Sequence, residues 1–182
     1  MNFNLRNATL DDIDSIMKVE SAGFIKEIQE ERKVFESRIV SAPELFLIFE
    51  DENKNVTGYL SSEYLKKLPQ EACEIALGHN PQKMTDEKNI IYLSSFSILP
   101  EYRGKGNGSL LWKKSLEYLQ KKIDLDGTFV LLVNEVWKGA YKIYENSGFT
   151  KVKVFKDFFS AENNNKTDGI LMICKAKNCK ID

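Results

Sequence analysis

Residues 95–112 read SFSILPEYRGKGNGSLLW and join the end of an apolar run to a cluster of glycines. The run Ile90–Ile98 predicts a buried central strand, and the apolar spacing after Gly106 predicts an amphipathic helix. The first N–H groups of a helix have no intrahelical partner, and glycines let the backbone approach an anion closely. This order of strand, turn and helix therefore predicts a site for a phosphate or pyrophosphate.

Two common nucleotide-binding loops do not fit the spacing of these glycines. The dinucleotide pattern G-x-G-x-x-G would need a glycine where the chain has Ser109. The Walker pattern needs Gly-Lys followed by Ser or Thr, but Lys105 is followed by Gly106. What remains is Arg103-x-x-Gly106-x-Gly108, and from the glycines alone an ordinary surface turn stays an alternative.

The rest of the chain reads as alternating strands and helices in the order β-α-α-β-β-β-α-β-α-β-β, which is typical of a mixed α/β layer fold. The final predicted helix stops at Gly148, a residue that suits a helix C-terminus. A long polar connection spans 66–89, and a turn is predicted at 163–166. The predicted strands are 2–7, 45–49, 56–64, 90–98, 128–134, 152–155 and 170–174, and the predicted helices are about 10–22, 29–40, 106–123 and 136–147.

Composition excludes several classes of protein. The chain has 182 residues, of which 42% are hydrophobic, with 26 Lys+Arg against 27 Asp+Glu. This is enough for one domain with a core, and the even charge balance argues against disorder and against a general nucleic-acid binder. No apolar run approaches the length of a membrane span, and no secretory signal pattern begins the chain. We therefore expect a cytoplasmic protein with no membrane or nucleic-acid partner.

The cysteines and the single histidine predict no metal site. Cys73, Cys174 and Cys179 are odd in number and scattered, so neither a disulfide framework nor a zinc cluster is expected. A nucleophilic pair of Cys73 and His79 is an alternative. The plainer interpretation is that both lie in a long, partly exposed connection, with His79 on the surface.

With its flanking elements in view, the segment 95–112 resembles the acetyl-CoA-binding segment of the GNAT superfamily of N-acetyltransferases, whose signature is [Arg/Gln]-x-x-Gly-x-[Gly/Ala]. A second block of that family is matched at the expected distance, by Val133-Asn134-Glu135, Ala140 and the run from Ile143 to Phe149. The resemblance implies a central sheet of about seven strands flanked by about four helices. It also implies a single acetyl-CoA-dependent domain over 1–182.

The same resemblance implies where acetyl-CoA binds. The pyrophosphate would lie on the turn and the helix N-terminus, and Arg103 and Lys105 would add positive charge. Phe96 and Ile98 would meet the pantetheine arm through their main chain, as an added strand does, and Asn134 would hydrogen-bond it. The implied donor-site residues are Phe96, Ile98, Arg103, Gly104, Lys105, Gly106, Asn107, Gly108, Ser109 and Asn134.

Tyr144 aligns with the tyrosine that protonates the departing CoA thiolate in many members of this family. A phenol has a pKa of ~10 and so holds its proton at neutral pH, and a positioned tyrosine can donate that proton as charge develops on sulfur. A core tyrosine on an amphipathic helix is the alternative. One position departs from the family: Trp137 stands where an asparagine often faces the cofactor, so Trp137 is expected to pack or to line the acceptor side.

The acceptor amine arrives as an ammonium ion and must lose a proton before it attacks. Several side chains are candidates for the base or for a relay, and none stands out: Glu20, Glu63, His79, Tyr92 and Ser94. Glu20 is also a candidate for attracting the ammonium group. Phe24, Phe35 and Phe46 are candidates for the wall of the acceptor pocket, although core packing is the more usual role of such residues.

A narrower resemblance, to arylalkylamine N-acetyltransferases, lies in 41–46, in Gly78-His79-Asn80-Pro81 and in 110–112. Tyr92 and Ser94 stand where the animal enzymes of that branch carry two histidines, so the branch's base does not carry over. The leading hypothesis is an acyltransferase that acetylates a small primary amine. A protein or peptide N-acetyltransferase and a non-catalytic acyl-CoA-binding module are the alternatives, and homodimerisation is left open.

Overall fold

A computed structural model describes residues 2–81, 89–160 and 165–180. It contains seven strands and four α-helices, which confirms the predicted fold class. The strands are β1 (Asn4–Asn7), β2 (Leu47–Glu50), β3 (Val56–Tyr64), β4 (Ile90–Ile98), β5 (Thr128–Asn134), β6 (Thr150–Ser160) and β7 (Lys166–Lys175). The helices are α1 (Ile13–Gly23), α2 (Arg32–Ser41), α3 (Asn107–Gln120) and α4 (Lys138–Asn146).

All seven strands form one sheet in the order β1-β2-β3-β4-β5-β7-β6, so β4 is central as predicted. Only β4 and β5 are parallel, and α3 makes the crossover that a parallel connection requires. Their pairing runs only from Ile90–Thr128 to Leu93–Leu131. Beyond that point the two strands part, and residues 95–98 of β4 pair with β3 on one side and, among the described residues, with no strand on the other. We call this unpaired main chain the donor edge.

A β-bulge lies where the two strands part. Ser61 pairs with Ser95 and Ser62 pairs with Leu93, so Ser94 is the extra residue in β4. One extra residue reverses which face of the sheet the following side chains meet. Ile91 and Leu93 face α3, but beyond the bulge the even-numbered residues do so. The bulge therefore turns Ser95 to the opposite face.

The core lies on both faces of the sheet, as the alternation along β2 shows. Leu47 and Phe49 face the layer of α3 and α4, whereas Ile48 faces α1 and α2. The polar connection after β3 extends the second layer, because Ile75 packs on Tyr92 and on strands β5 to β7. Within the described ranges, no helix is both long and apolar enough to cross a membrane.

Some predicted boundaries differ from the observed ones, mostly at the last two strands. Strand β6 runs from Thr150 to Ser160 rather than over 152–155, because a register shift between Phe155 and Phe159 accommodates polar residues that interrupt the apolar alternation. The turn predicted at 163–166 lies partly outside the described residues, and Lys166 already belongs to β7. Gly148 follows α4 with φ of 94°, which confirms its place at the helix end.

Candidate active site

The turn before α3 has three consecutive residues in left-handed conformations. Gly104, Lys105 and Gly106 have φ of 78°, 51° and 81°, and Gly106 is the N-cap of the helix. A Cβ atom at Gly104 or Gly106 would meet no atom within 4 Å, so both glycines border open space. The N–H groups of Gly108 and Ser109 lie in the first helical turn, where no preceding carbonyl can accept them. This arrangement fits an anion against the helix N-terminus.

The donor edge presents main chain rather than side chains to the gap between the strands. The Phe96 ring packs against Trp112 and Phe49, at centroid distances of 5.4 and 5.7 Å, and Ile98 is buried in the same cluster. Arg103 ties the turn to the strand, because its Nε donates to the Ile98 carbonyl at 2.8 Å. The free edge and the glycine turn therefore form one continuous surface, which fits an extended arm that ends in phosphates.

A cavity of about 1170 Å³ fills the gap and reaches both layers. Most of the predicted site residues line it, namely Phe96, Ile98, Arg103, Gly104, Gly106, Gly108, Ser109, Asn134 and Tyr144. Lys105 and Asn107 do not. Lys105 is exposed on the turn, and the Asn107 side chain donates to the Tyr102 carbonyl at 2.9 Å, so it braces the turn from within.

Tyr144 and Trp112 lie together at the middle of the cavity, with ring centroids 4.5 Å apart. Burial raises the pKa of the Tyr144 phenol well above its ordinary value, so it carries its proton at neutral pH. The Trp112 Nε1 is buried and has no hydrogen-bond partner among the described residues. Sequence reasoning placed Trp112 only on an apolar helix face, and nothing in that pattern indicated a free N–H at the cavity.

One mouth of the cavity is aromatic. Trp137 packs against Phe24 at 5.6 Å and against Phe159 at 5.5 Å, and all three line the cavity. We call these three residues the aromatic mouth. Of the predicted pocket walls, only Phe24 has that position. Phe35 and Phe46 are fully buried against Tyr59, so both are core-packing residues.

Another part of the cavity lining, which we call the acceptor end, holds a buried cluster of charges. Arg38 is 1% exposed, with its guanidinium 3.7 Å from Glu30 and 3.6 Å from Glu63. Its Nε and Nη1 have no hydrogen-bond partner among the described residues. Arg38 lies on the same helix face as Val34 and Phe35, which face the core. A charged residue on an apolar face was therefore the sequence signal for a buried charge at this position. Arg38, Glu20, Glu30 and His79 line the cavity.

His79 is not the surface residue that was expected, since its side chain is only 11% exposed. Its Nδ1 lies 2.8 Å from the Ala76 carbonyl, which can only accept, so Nδ1 carries hydrogen. Its Nε2 lies 2.6 Å from Glu63 Oε1, so one proton lies between ring and carboxylate. Both ring nitrogens therefore already have hydrogen-bond partners, and Cys73 is exposed. These observations argue against a nucleophilic pair of Cys73 and His79.

Glu20 is 1% exposed, and its described hydrogen-bond donors are one hydroxyl and one main-chain N–H. Its Oε1 accepts the Glu30 N–H at 2.8 Å, and its Oε2 accepts the hydroxyl of Tyr59 in a very short hydrogen bond. Burial raises the pKa of the Glu20 carboxyl to about 7, against the lowering effects of these hydrogen bonds and of Arg38. The Tyr59 hydroxyl also lies 2.9 Å from Ser95 Oγ.

The candidate bases predicted from the sequence are thus assembled from separate elements. Glu20, His79, Tyr92 and Ser94 line the cavity, and Glu63 lies behind His79. Ser94 does not join the charged cluster, because its Oγ donates to the Ser61 carbonyl at 3.0 Å. Across the described ranges, no three His, Cys, Asp or Glu side chains are grouped so as to hold a metal ion.

A sheet that splits beside a glycine-rich helix N-terminus, with a buried polar pocket across the gap, is the arrangement that the sequence resemblance implies for an acyl-CoA-dependent acyltransferase. The model of the acetyltransferase (GNAT) family matches residues 13–149, and the chain belongs to that family. It is therefore an acyltransferase, and acetyl-CoA is the acyl donor that this family uses. No protein of curated function matches the sequence significantly.

Solved structures agree with this fold. The loading GNATL domain of CurA from Lyngbya majuscula is 17% identical with a TM-score of 0.78, and the match covers 97% of this chain and 99% of that one. A phosphinothricin acetyltransferase from Sinorhizobium meliloti, in complex with AcCoA, is 16% identical with a TM-score of 0.67, covering 96% and 88%. The ribosomal-protein-S18-alanine N-acetyltransferase from Escherichia coli is 15% identical with a TM-score of 0.69, covering 94% and 92%. Identities this low establish the fold alone, and they do not support the arylalkylamine branch.

Proposed function

We propose that this protein transfers the acetyl group of acetyl-CoA directly to the nitrogen of a small primary amine. The observation that carries the proposal is one cavity that joins the donor edge to a region with buried carboxylates. Acetyl-CoA supplies the activated acyl group, whose carbonyl carbon bonds to the amine nitrogen as the bond to sulfur breaks. The protein's own residues orient the two partners and manage the protons.

The donor half uses the main chain of β4 and the N-terminus of α3. The donor edge extends the sheet along the pantetheine arm, and the N–H groups of Gly108 and Ser109 face the pyrophosphate. Tyr144 holds a proton at neutral pH and lies beside Trp112 in the cavity. Its proposed role is that of the acid that gives its proton to the departing thiolate.

The acceptor half favours a small amine with an apolar body. Residues of the connection after β3, including Ala72, Ile75 and Leu77, line the cavity together with the acceptor end. The aromatic mouth offers flat apolar surface to the body of the acceptor, and aromatic faces also attract an ammonium group. A peptide substrate needs an open groove, which this connection narrows.

The proposal is tested by thiol release from acetyl-CoA against a panel of acceptors. Phenethylamine and tryptamine represent aromatic amines, and polyamines, aminoglycosides and short peptides represent the alternatives. We expect turnover with the aromatic amines and transfer of labelled acetyl to their nitrogen. Turnover with peptides alone would assign the protein to the protein-modifying acyltransferases, and CoA binding without any turnover would favour the non-catalytic module.

Replacing Gly106 tests the donor half separately. In Gly106→Val a branched side chain must adopt φ of 81°, which costs roughly 1–2 kcal/mol, and its methyl groups fill the open space before the helix. We expect the dissociation constant of CoA to rise by at least about tenfold, since one lost charge-assisted hydrogen bond is worth about 1.5 kcal/mol or more. Isothermal calorimetry with CoA measures it.

Gly78→Val is the matched control. Gly78 has φ of 76° and equally open surroundings, but it lies in the connection after β3. The backbone strain is the same, so CoA affinity should stay at the wild-type value while the melting temperature falls similarly. Equal losses of CoA affinity in both variants would contradict the placement of the pyrophosphate.

A further inference from the structure

Two hydrogen bonds connect the wall of the cavity to the buried Glu20 carboxylate. Ser95 lines the cavity, and its Oγ lies 2.9 Å from the hydroxyl of Tyr59. That hydroxyl is fully buried and makes a very short hydrogen bond to Glu20 Oε2. The bulge at Ser94 makes this possible, because without it the Ser95 side chain would face α3 instead of α1.

The direction of each bond follows from the number of hydrogens. An ionised carboxylate can only accept hydrogen bonds, so Tyr59 donates its single hydroxyl hydrogen to Glu20. The Tyr59 oxygen must then accept from Ser95, which uses the one hydrogen of that serine. The Ser95 oxygen is left with free lone pairs beside the cavity. All the bonds therefore point from the cavity towards Glu20, as the transfer of a proton inward requires.

We propose that Ser95, Tyr59 and Glu20 form a relay that removes the proton from the acceptor ammonium group. This rests on the proposed function. The ammonium N–H donates to Ser95 Oγ and its proton passes to that oxygen. Ser95 passes its own hydroxyl proton to Tyr59, and Tyr59 passes its proton to Glu20 Oε2. The nitrogen keeps its electron pair for the attack, and Glu20 ends as a neutral acid.

The charges around Glu20 suit this role. Arg38 from α2, Glu30 from the preceding segment and Tyr59 from β3 act on the pKa of Glu20. Glu63 and His79 join the same cluster through their contacts with Arg38. Arg38 is shared between Glu30 and Glu63, and within the described residues Glu20 itself forms no ion pair. Burial holds its pKa at about 7, so the carboxylate is ionised and ready to accept above that pH and is already protonated below it.

The test compares a basic amine with a less basic amine of the same shape. The best acceptor of the panel and its β,β-difluoro analogue are used at pH 8, where the fluorines leave most of the analogue uncharged. In Glu20→Gln, Ser95→Ala and Tyr59→Phe we expect kcat for the basic amine to fall about 100-fold, the size of a typical acid–base contribution. The fluorinated amine needs no relay, so its kcat should fall less than about threefold.

The pH profile of kcat/KM gives a second readout. In the wild type it should rise through a limb near pH 7, which Glu20→Gln removes. Tyr64→Phe is the matched control, since Tyr64 is on the same strand and its hydroxyl contacts Glu44 and the Lys122 carbonyl, away from the cavity. It should leave both kcat values and the limb in place.

Two results would overturn the relay while leaving the proposed function intact. One is an equal loss of kcat for both amines in the three variants, as general damage to the site would cause. The other is a wild-type pH limb retained in Glu20→Gln. A wild-type protein that acetylates no amine at all would overturn the proposed function, and the relay with it.

Discussion

Tyr144→Phe is expected to lower the rate of acetyl transfer about 100-fold, the order of magnitude of a lost general acid. The variant keeps the ring that packs 4.5 Å from Trp112 and loses only the proton that the departing thiolate would take. CoA affinity should therefore stay unchanged. The measurement is a single-turnover rate with saturating acceptor, because product release could otherwise hide a change in the chemical step.

Tyr141→Phe provides the comparison for this variant. Tyr141 lies one turn earlier on α4 and packs against the same core cluster, but it does not line the cavity. Its rate should match the wild type. A Tyr144→Phe rate within threefold of the wild type would show that the thiolate leaves without this acid, and the tyrosine would then be a core residue.

Arg38→Met is expected to cause the largest loss of stability. Arg38 is 1% exposed and is the cation between Glu30 and Glu63, which are 8% and 2% exposed. Removing one partner of a buried charge cluster leaves the others uncompensated, which typically costs about 3–5 kcal/mol. Urea unfolding measured with a common m-value would report the change in the free energy of unfolding.

Two further variants separate the charge effect from lost packing. Arg32→Met, on the same helix, removes an arginine that is 51% exposed and pairs with Asp14, so it should cost no more than about 1 kcal/mol. Adding Glu30→Gln and Glu63→Gln to Arg38→Met removes the uncompensated charges and should recover part of the loss. If the triple variant were no more stable than Arg38→Met alone, the loss would come from packing and the charge explanation would be wrong.

The glycine turn and the neighbouring strand could be predicted from the sequence because their determinants are local. The run 90–98 and the glycine pattern at Gly104, Gly106 and Gly108 lie within a few residues of each other, and backbone preferences decide their conformation. Strands β4 and β5 have their predicted bounds for a similar reason, since each is a largely apolar run. Strand β3 keeps its predicted bounds as the returning strand of a hairpin that follows a polar turn. The family resemblance then supplied the expected sheet.

The acceptor half could be predicted only as a set of candidates. Glu20, Arg38, Tyr59 and His79 come from α1, α2, β3 and a long connection, and only tertiary packing brings them together. The bulge at Ser94 has no local signal in a run of apolar and serine residues, yet it decides which face Ser95 meets. The burial of His79 depends on its contact with Glu63, sixteen positions earlier, which no spacing rule anticipates.

The gap between β4 and β5 is lined by two kinds of chemical group. On the β4 side the lining is main chain, and its shape depends little on which side chains the strand carries. Elsewhere the lining consists of side chains from α1, α2 and the connection after β3. We therefore expect substitutions among these side chains to change which acceptor is used while leaving CoA binding unchanged.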